Sequence, residues 1–244
     1  MEFRDLGIII GRNNFGDNAG IITLFTEKHG LYSGVVKQYS RRRGNILAEG
    51  NLVDFFWAAR LHEHLGTAKC ELIKSYSSCI IQDKARLYAF NSIACLIRKA
   101  FCEREPHNNF FPKFLNYLEL LKTSKNFLLT DYIKLELDLL TETGYGLKLD
   151  SCVVTGNRDN LCYVSPKSGQ AVSAEAGKPY ADKLLPLPRF LRTDEPNPEI
   201  SNLYIDSSYD DIKQGFILTS YFLNRYILHG KELEARQALL SIQI

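Results

Sequence analysis

Residues 20–45 read GIITLFTEKHGLYSGVVKQYSRRRGN, two β-patterned runs joined by a turn at 27–30. This stretch is locally basic, since five Lys or Arg residues and no acidic residue occur from Lys28 to Gly44. Guanidinium groups match phosphate oxygens and the ring of Tyr39 can stack a base, so this rim of a small sheet suits nucleic acid. A solvated basic loop on an ordinary β-domain explains the same residues about equally well.

The first third of the chain contains five short segments rich in β-branched and aromatic residues. These segments are residues 6–13, 20–26, 30–37, 51–60 and 66–76. Their number and brevity predict a five-stranded OB-fold barrel over residues 1–80, although an SH3-like barrel fits the pattern nearly as well. The consecutive aromatics at 55–57 alternate between the two faces of a strand, which favours core positions over base stacking.

The overall composition is that of a soluble globular protein, with 244 residues, 45% apolar and 24% charged. The 30 basic and 28 acidic residues nearly balance, so a polyanionic partner has to be recognised by a local patch. The sequence shows neither a signal peptide nor an apolar run of ~20 residues. Its six cysteines lack the regular spacing that is typical of disulfide-bonded proteins. These features predict a cytoplasmic protein with free thiols and no membrane contact.

The hydrophobic period changes from that of strands to that of helices at Asp83. Asp83 is a suitable N-cap for a helix of about twenty residues, and Pro106 ends that run. Further helices are predicted around 111–121, 131–144 and 211–230, and from 232 onward. We expect residues 81–244 to form one helical domain, because the helices before and after the loop-rich segment at about 146–180 are too few to bury their apolar stripes separately.

The insert at about 146–180 is the place where a metal site would be sought. Cys152 opens what would be a C-x2-C zinc knuckle, but Thr155 stands at the second ligand position. Ser173 and Ala176 stand where a second pair of cysteines is needed. Structural zinc requires four thiolate or imidazole ligands, so the sequence predicts a metal-free insert.

No catalytic motif is complete. Residues 167–169 read Lys-Ser-Gly, as in penicillin-interacting serine enzymes, but the chain has no Ser-x-x-Lys to supply the nucleophile. His62 and His64 lack a third metal ligand, and neither a phosphate-binding loop nor a dinucleotide fingerprint is present. The sequence therefore predicts a protein that is not an enzyme and has no cofactor.

A set of segments, in a fixed order, carries a resemblance over essentially the full chain. They are Gly7-x4-Arg12, Phe15-Gly16-Asp17, LFTEKHG at 24–30, Gly34-Val35-Val36-Lys37, LELDLLTETGYGLKLDSCVVTG at 135–156, YVSPKSGQAV at 163–172 and YFLNRYILHGKELEARQAL at 221–239. In these segments the chain resembles the RecO family of bacterial recombination mediators. The resemblance implies an α+β architecture, an N-terminal OB-fold followed by a helical domain with a zinc-ribbon-like insert. Several members hold zinc there with four cysteines, of which this chain has only Cys152.

The resemblance also implies a non-enzymatic function in bacterial DNA repair, in the nucleoid-associated cytoplasm. RecO-like proteins bind single- and double-stranded DNA, anneal complementary strands and act with RecR. They also engage the C-terminal tail of single-stranded-DNA-binding protein, so that recombinase loads at gaps. The expected DNA contacts are Lys37, Arg41, Arg42 and Arg43, with weaker ones at Arg12 and Lys28. The alternative is a protein-docking scaffold whose OB-like domain binds a protein partner rather than DNA.

The partner tail implied by this resemblance is acidic and ends in apolar residues. Such a peptide needs an apolar slot with a cation at its mouth. The late helix offers two cations for this contact, Arg225 and, less favoured, Lys213. Its apolar stripe of Phe216, Leu223 and Ile227 is better explained as ordinary core.

Overall fold

The computed structural model describes residues 1–15, 18–37, 45–61, 64–124, 129–192 and 209–243. Its contacts divide the chain into two compact units. The first comprises Met1–Phe127 with Leu233–Gln243, and the second comprises Leu128–Glu232. The first unit thus includes the helices that directly follow the barrel, and the domain boundary expected near residue 80 stays a prediction.

The first unit is built on a closed five-stranded barrel, which confirms the predicted OB-fold. The strands are β1 (Glu2–Phe15), β2 (Ala19–Thr26), β3 (Gly30–Lys37), β4 (Leu52–Ala58) and β5 (Thr67–Lys74), in the order β1-β2-β3-β5-β4. Neighbouring strands are antiparallel except β3 and β5, which run parallel and are joined through the single pair Val35–Thr67. The barrel is therefore least tightly closed between β3 and β5.

The interior of the barrel follows the alternation of the strands. On β4, Phe55 and Trp57 are buried in the core, whereas Phe56 between them is half-buried on the other face. The prediction that these aromatics serve the core is thus confirmed for Phe55 and Trp57. The indole N–H of Trp57 donates hydrogen bonds to the backbone oxygens of Ser33 (3.2 Å) and Leu65 (3.0 Å), which satisfies its only polar atom.

Five helices begin within two residues of the starts that the sequence predicts, near 83, 111, 131, 211 and 232, whereas the first and the fifth helix in chain order were not predicted. They are α1 (Ser77–Gln82), α2 (Lys84–Ala100), α3 (Phe110–Thr123), α4 (Leu129–Glu142), α5 (Ala174–Gly177), α6 (Tyr209–Leu223) and α7 (Glu234–Gln243). The carboxylate of Asp83 accepts the backbone N–H of Arg86 at 3.0 Å, so the predicted N-cap of α2 is confirmed. The ring of Phe25 on β2 packs against those of Phe101 and Phe110, which joins the helices of the first unit to the barrel.

The second unit combines α4 and α6 with a small sheet in the insert. The rings of Tyr132 on α4 and Phe216 on α6 pack with centroids 5.9 Å apart. The sheet has the order β7-β6-β8, with β6 (Leu161–Val164), β7 (Ala171–Ser173) and β8 (Leu185–Pro186). The late helix continues beyond α6 as a π-helical turn, Asn224–Leu228. Its cap is His229 in the left-handed conformation (φ 49°), and Gly230 follows with a φ of 80°.

Candidate nucleic-acid interface

Lys37, the predicted DNA contact that rests on both charge and resemblance, ends β3 and is exposed. The strand register places Lys37 opposite Ala19 on β2, and Ala19 opposite Phe15 on β1. Opposite residues share one face of a sheet, so Lys37 and Phe15 lie on the same face, two strand spacings or about 9.6 Å apart. Phe15 is 53% exposed. One face of the barrel therefore presents an aromatic ring and a cation, which is the combination that single-stranded DNA requires.

The weaker predicted contacts lie away from this pair. Arg12 is exposed on β1 but is three residues from Phe15, so its side chain leaves the opposite face of the strand. Lys28 lies in the β2–β3 turn, at the other end of β3, roughly 23 Å from Lys37 along the strand. The structure thus does not bring Lys28 or Arg12 together with Lys37, and their contacts with DNA stay predictions.

The basic loop that follows β3 carries the other predicted contacts. Arg41, Arg42 and Arg43 lie outside the residues that the structure describes. In the sequence these arginines follow Lys37, the residue that ends β3, by four to six positions. Their contribution to DNA binding stays a prediction based on charge.

A cleft of about 660 Å³ opens between β3 and β5 and includes Lys37 in its lining. Two further charged residues, Lys69 and Glu71, line it from β5, and the ring of Phe56 lines it from β4. Sequence reasoning missed Lys69 altogether and, although it expected the 55–57 aromatics to alternate between faces, favoured core positions over base stacking for them. The signal for Lys69 was its position on β5 opposite Phe56, which only the strand pairing reveals.

A buried carboxylate on β1, that of Asp5, has a structural function at the turn before β3. The Asp5 carboxylate accepts hydrogen bonds from the backbone N–H groups of Leu6 and Lys28, both at 2.9 Å. Nδ1 of His29 lies 2.7 Å from the same carboxylate. These contacts fasten the β2–β3 turn to β1. They use His29 as a structural side chain.

The predicted tail-binding cations lie in the second unit, on the late helix. Arg225 is exposed in the π-helical turn and donates hydrogen bonds to the Pro166 carbonyl oxygen (2.8 Å) and to the hydroxyl of Tyr221 (3.3 Å). Lys213 is exposed on α6, twelve residues earlier, or about 18 Å along a helix. The structure therefore does not place the two cations at the mouth of one slot.

The apolar stripe of the late helix faces the interior. Phe216 and Leu223 are 3% and 0% exposed, and Ile227 is 9% exposed. The interpretation of this stripe as core is confirmed. Beside Arg225, the ring of Tyr226 stacks on that of Tyr145 with centroids 4.1 Å apart, so the surface around the cation is aromatic.

In the insert, Cys152 lies next to Thr155 and Ser173, two of the residues that stand where a zinc site would need cysteines. The buried Cys152 sulfur accepts the backbone N–H of Ser173 at 3.2 Å. Burial raises the pKa of this thiol, but hydrogen bonds from Thr155 and Ser173 outweigh it and lower the pKa of Cys152 to about 6. One sulfur and two hydroxyls do not form a tetrahedral zinc site, so these residues do not fit the metal. Zinc-free purified protein stays a prediction.

No cluster of three or more His, Cys, Asp or Glu residues suited to a metal ion occurs within the described ranges. None of the described helices has the length and apolar character needed to cross a bilayer.

Comparison with known proteins gives a consistent result over the full chain. Family models described as Recombination protein O N terminal and Recombination protein O C terminal match residues 1–76 and 81–233. The DNA repair protein RecO of Rickettsia conorii is 52% identical over 242 residues, which cover 99% of this chain and 98% of that protein. The proteins of the same name from Rickettsia felis and Rickettsia bellii are 52% and 50% identical, with 98% and 96% of those proteins covered.

Proposed function

Because this chain belongs to the RecO family, we propose that it is a non-enzymatic mediator of recombinational DNA repair that binds and anneals single-stranded DNA. The observation that most supports this function is the barrel face that carries Phe15 and Lys37, and the sequence directly after Lys37 is rich in arginine. Phosphates contact the cations and bases contact the ring. Both contacts tolerate any base sequence.

Annealing follows from contacts of this kind without catalytic groups. Two single strands repel each other through their phosphates, and a protein that neutralises several phosphates lowers this repulsion. Base pairing itself then drives the reaction, so neither a nucleotide cofactor nor a metal is needed. Sequence-indifferent contacts also let a strand slide until its complement is found. The direct test is whether the protein accelerates the annealing of two complementary strands.

The proposal extends to partners and to location. We propose that the protein acts in the bacterial cytoplasm at the nucleoid, also binds double-stranded DNA, and works with a RecR-like partner. Contact with the C-terminal tail of single-stranded-DNA-binding protein brings it to coated gaps, where recombinase is loaded. The surface around Arg225 is the proposed site for this tail, because an exposed guanidinium lies there beside aromatic rings.

We expect Arg225→Ala to weaken the binding of an acidic tail peptide by ~1–3 kcal/mol, the usual cost of removing a charge-assisted contact. Calorimetric titration with a synthetic peptide measures this change. Lys183→Ala is the matched control, because Lys183 is exposed in the same unit and is not a predicted tail contact. Equal affinity of wild type and Arg225→Ala for the peptide places the tail elsewhere. DNA binding is expected to stay unchanged in both variants.

A protein-docking scaffold remains the second candidate, and one observation favours it. Leu72 and Ile73 on β5 are 43% and 52% exposed, and exposed apolar neighbours on a strand are typical of a docking surface. The two candidates differ in their response to salt. DNA binding through phosphates weakens steeply with salt, whereas apolar docking does not.

A further inference from the structure

The cleft between β3 and β5 arises from the way in which the barrel closes. Only Val35 and Thr67 pair across these strands, so beyond this pair the strands separate. The floor of the opening is apolar and closely packed, since the core residues Val36, Leu47 and Ala68, each at most 5% exposed, line it. A volume of about 660 Å³ is within the range of sites that hold small organic groups.

The charges and the ring around this floor restrict the chemistry of the occupant. Lys37 and Lys69 lie on the two strands that flank the cleft, and Phe56 contributes an aromatic ring. Glu71 is the carboxylate of the lining. Burial raises the pKa of the Cys70 thiol to about 12, so this sulfur stays neutral and adds no negative charge. An apolar floor with a ring and flanking cations suits a flat heterocycle that carries an anionic group on each side.

We propose that this cleft holds one unstacked base of single-stranded DNA, with Phe56 as its stacking surface and Lys37 and Lys69 on the flanking phosphates. This inference rests on the proposed function and adds to it the place where a base is bound. Lys37 lines the cleft and also lies on the same sheet face as Phe15, with Ala19 between them. A DNA strand that crosses the barrel from β1 to β3 therefore reaches the cleft directly.

A base slot has a consequence for strand preference that phosphate contacts alone do not have. A base in a duplex must be unpaired and unstacked before it enters a pocket, whereas a base in a single strand is already free to do so. The cleft therefore favours single-stranded over double-stranded DNA. It also holds a strand without covering the Watson–Crick edges of its neighbours, which leaves them free to pair.

The test compares two variants with a matched control. Phe56→Leu keeps an apolar side chain but removes the ring, and Lys69→Gln removes the cation of β5 that is specific to the cleft. Lys84→Gln is the control, because Lys84 is exposed on α2 and does not line the cleft. The probes are a single-stranded oligonucleotide, the same strand with abasic sites, and a duplex of equal length. Urea unfolding of each variant shows that the barrel is intact.

Phe56→Leu is expected to weaken single-strand binding about tenfold, because one stacked base is lost. Its duplex affinity stays within about twofold of wild type, and the two proteins bind the abasic strand equally, since that strand keeps its phosphates but has no bases to stack. Lys69→Gln lowers the affinity for the normal and the abasic strand by the same factor, because both strands keep their phosphates. Lys84→Gln changes these two affinities only by the small effect of removing one surface charge.

Other results overturn the inference in distinguishable ways. If wild type binds the single strand but Phe56→Leu binds it equally well, or loses single-strand and duplex affinity in parallel, no base occupies the cleft and the proposed function still stands. If an acidic peptide displaces only the Phe56-dependent part of the binding, the cleft is a peptide site. If wild type binds no single strand even at low salt, the proposed function itself fails.

Discussion

Replacement of Arg41, Arg42 and Arg43 together by Ala is expected to reduce the slope of log Kobs against log salt, for single-stranded DNA, by about 2 in magnitude. Each neutralised phosphate contributes ~0.7 to this slope, and three such contacts are removed. Because the binding lines of wild type and variant converge toward ~1 M salt, the affinity at ~0.1 M salt falls about 100-fold. Fluorescence anisotropy of a labelled oligonucleotide over a salt series measures both quantities.

The matched control removes the same charge elsewhere. Lys84, Lys99 and Lys113 are exposed on α2 and α3, and their joint replacement by Ala lowers the net charge by the same amount. If the three arginines act only through net charge, the two triple variants have the same slope and affinity. An unchanged slope in the arginine variant rules out phosphate contacts by this loop and moves the DNA site elsewhere on the barrel.

Trp57→Ala is expected to lower the free energy of unfolding by ~3–5 kcal/mol, the usual cost of truncating a large buried aromatic. Trp57 is 1% exposed in the barrel core, and its removal also leaves the carbonyl oxygens of Ser33 and Leu65 without their donor. Gly66 packs directly on the indole ring, since a Cβ there would lie 2.5 Å from its Nε1 atom.

The urea midpoint of the intact chain measures this loss. Trp57→Phe is the matched variant, because it keeps a buried ring but removes the indole N–H, and we expect it to cost ~1–3 kcal/mol. A loss below ~1 kcal/mol in Trp57→Ala would show that the barrel core does not depend on this side chain, contrary to its burial and contacts.

The barrel was predictable because its strands alternate between core and surface, and the turns between them carry glycine. What could not be predicted is how the barrel closes, since the β3–β5 pairing joins residues 35 and 67 and depends on the whole fold. Only this pairing places Lys69 beside Lys37. The local sequence pattern was therefore enough to identify Lys37 and the basic loop. The cleft and the position of the Phe56 ring in it could be recognised only from the tertiary structure.

The packing of helices on the barrel was missed for a similar reason. In β2, Leu24, Phe25 and Thr26 are all fully buried, so this end of the strand is covered on both faces. A continuous buried run of this kind is the local signal that a further layer packs on the sheet. It does not say which helix supplies the layer. The contacts of Phe25 with Phe101 and Phe110 supply that information.

The account depends most on the claim that this protein anneals DNA through phosphate and base contacts, without catalysis. The direct measurement is the annealing rate of two complementary oligonucleotides, with and without the protein, in the absence of nucleotide and metal. The account predicts an acceleration of at least about tenfold at low salt, similar for unrelated sequences and lost as salt rises. Annealing at the protein-free rate across the whole salt series, or an absolute need for a nucleotide, would contradict it.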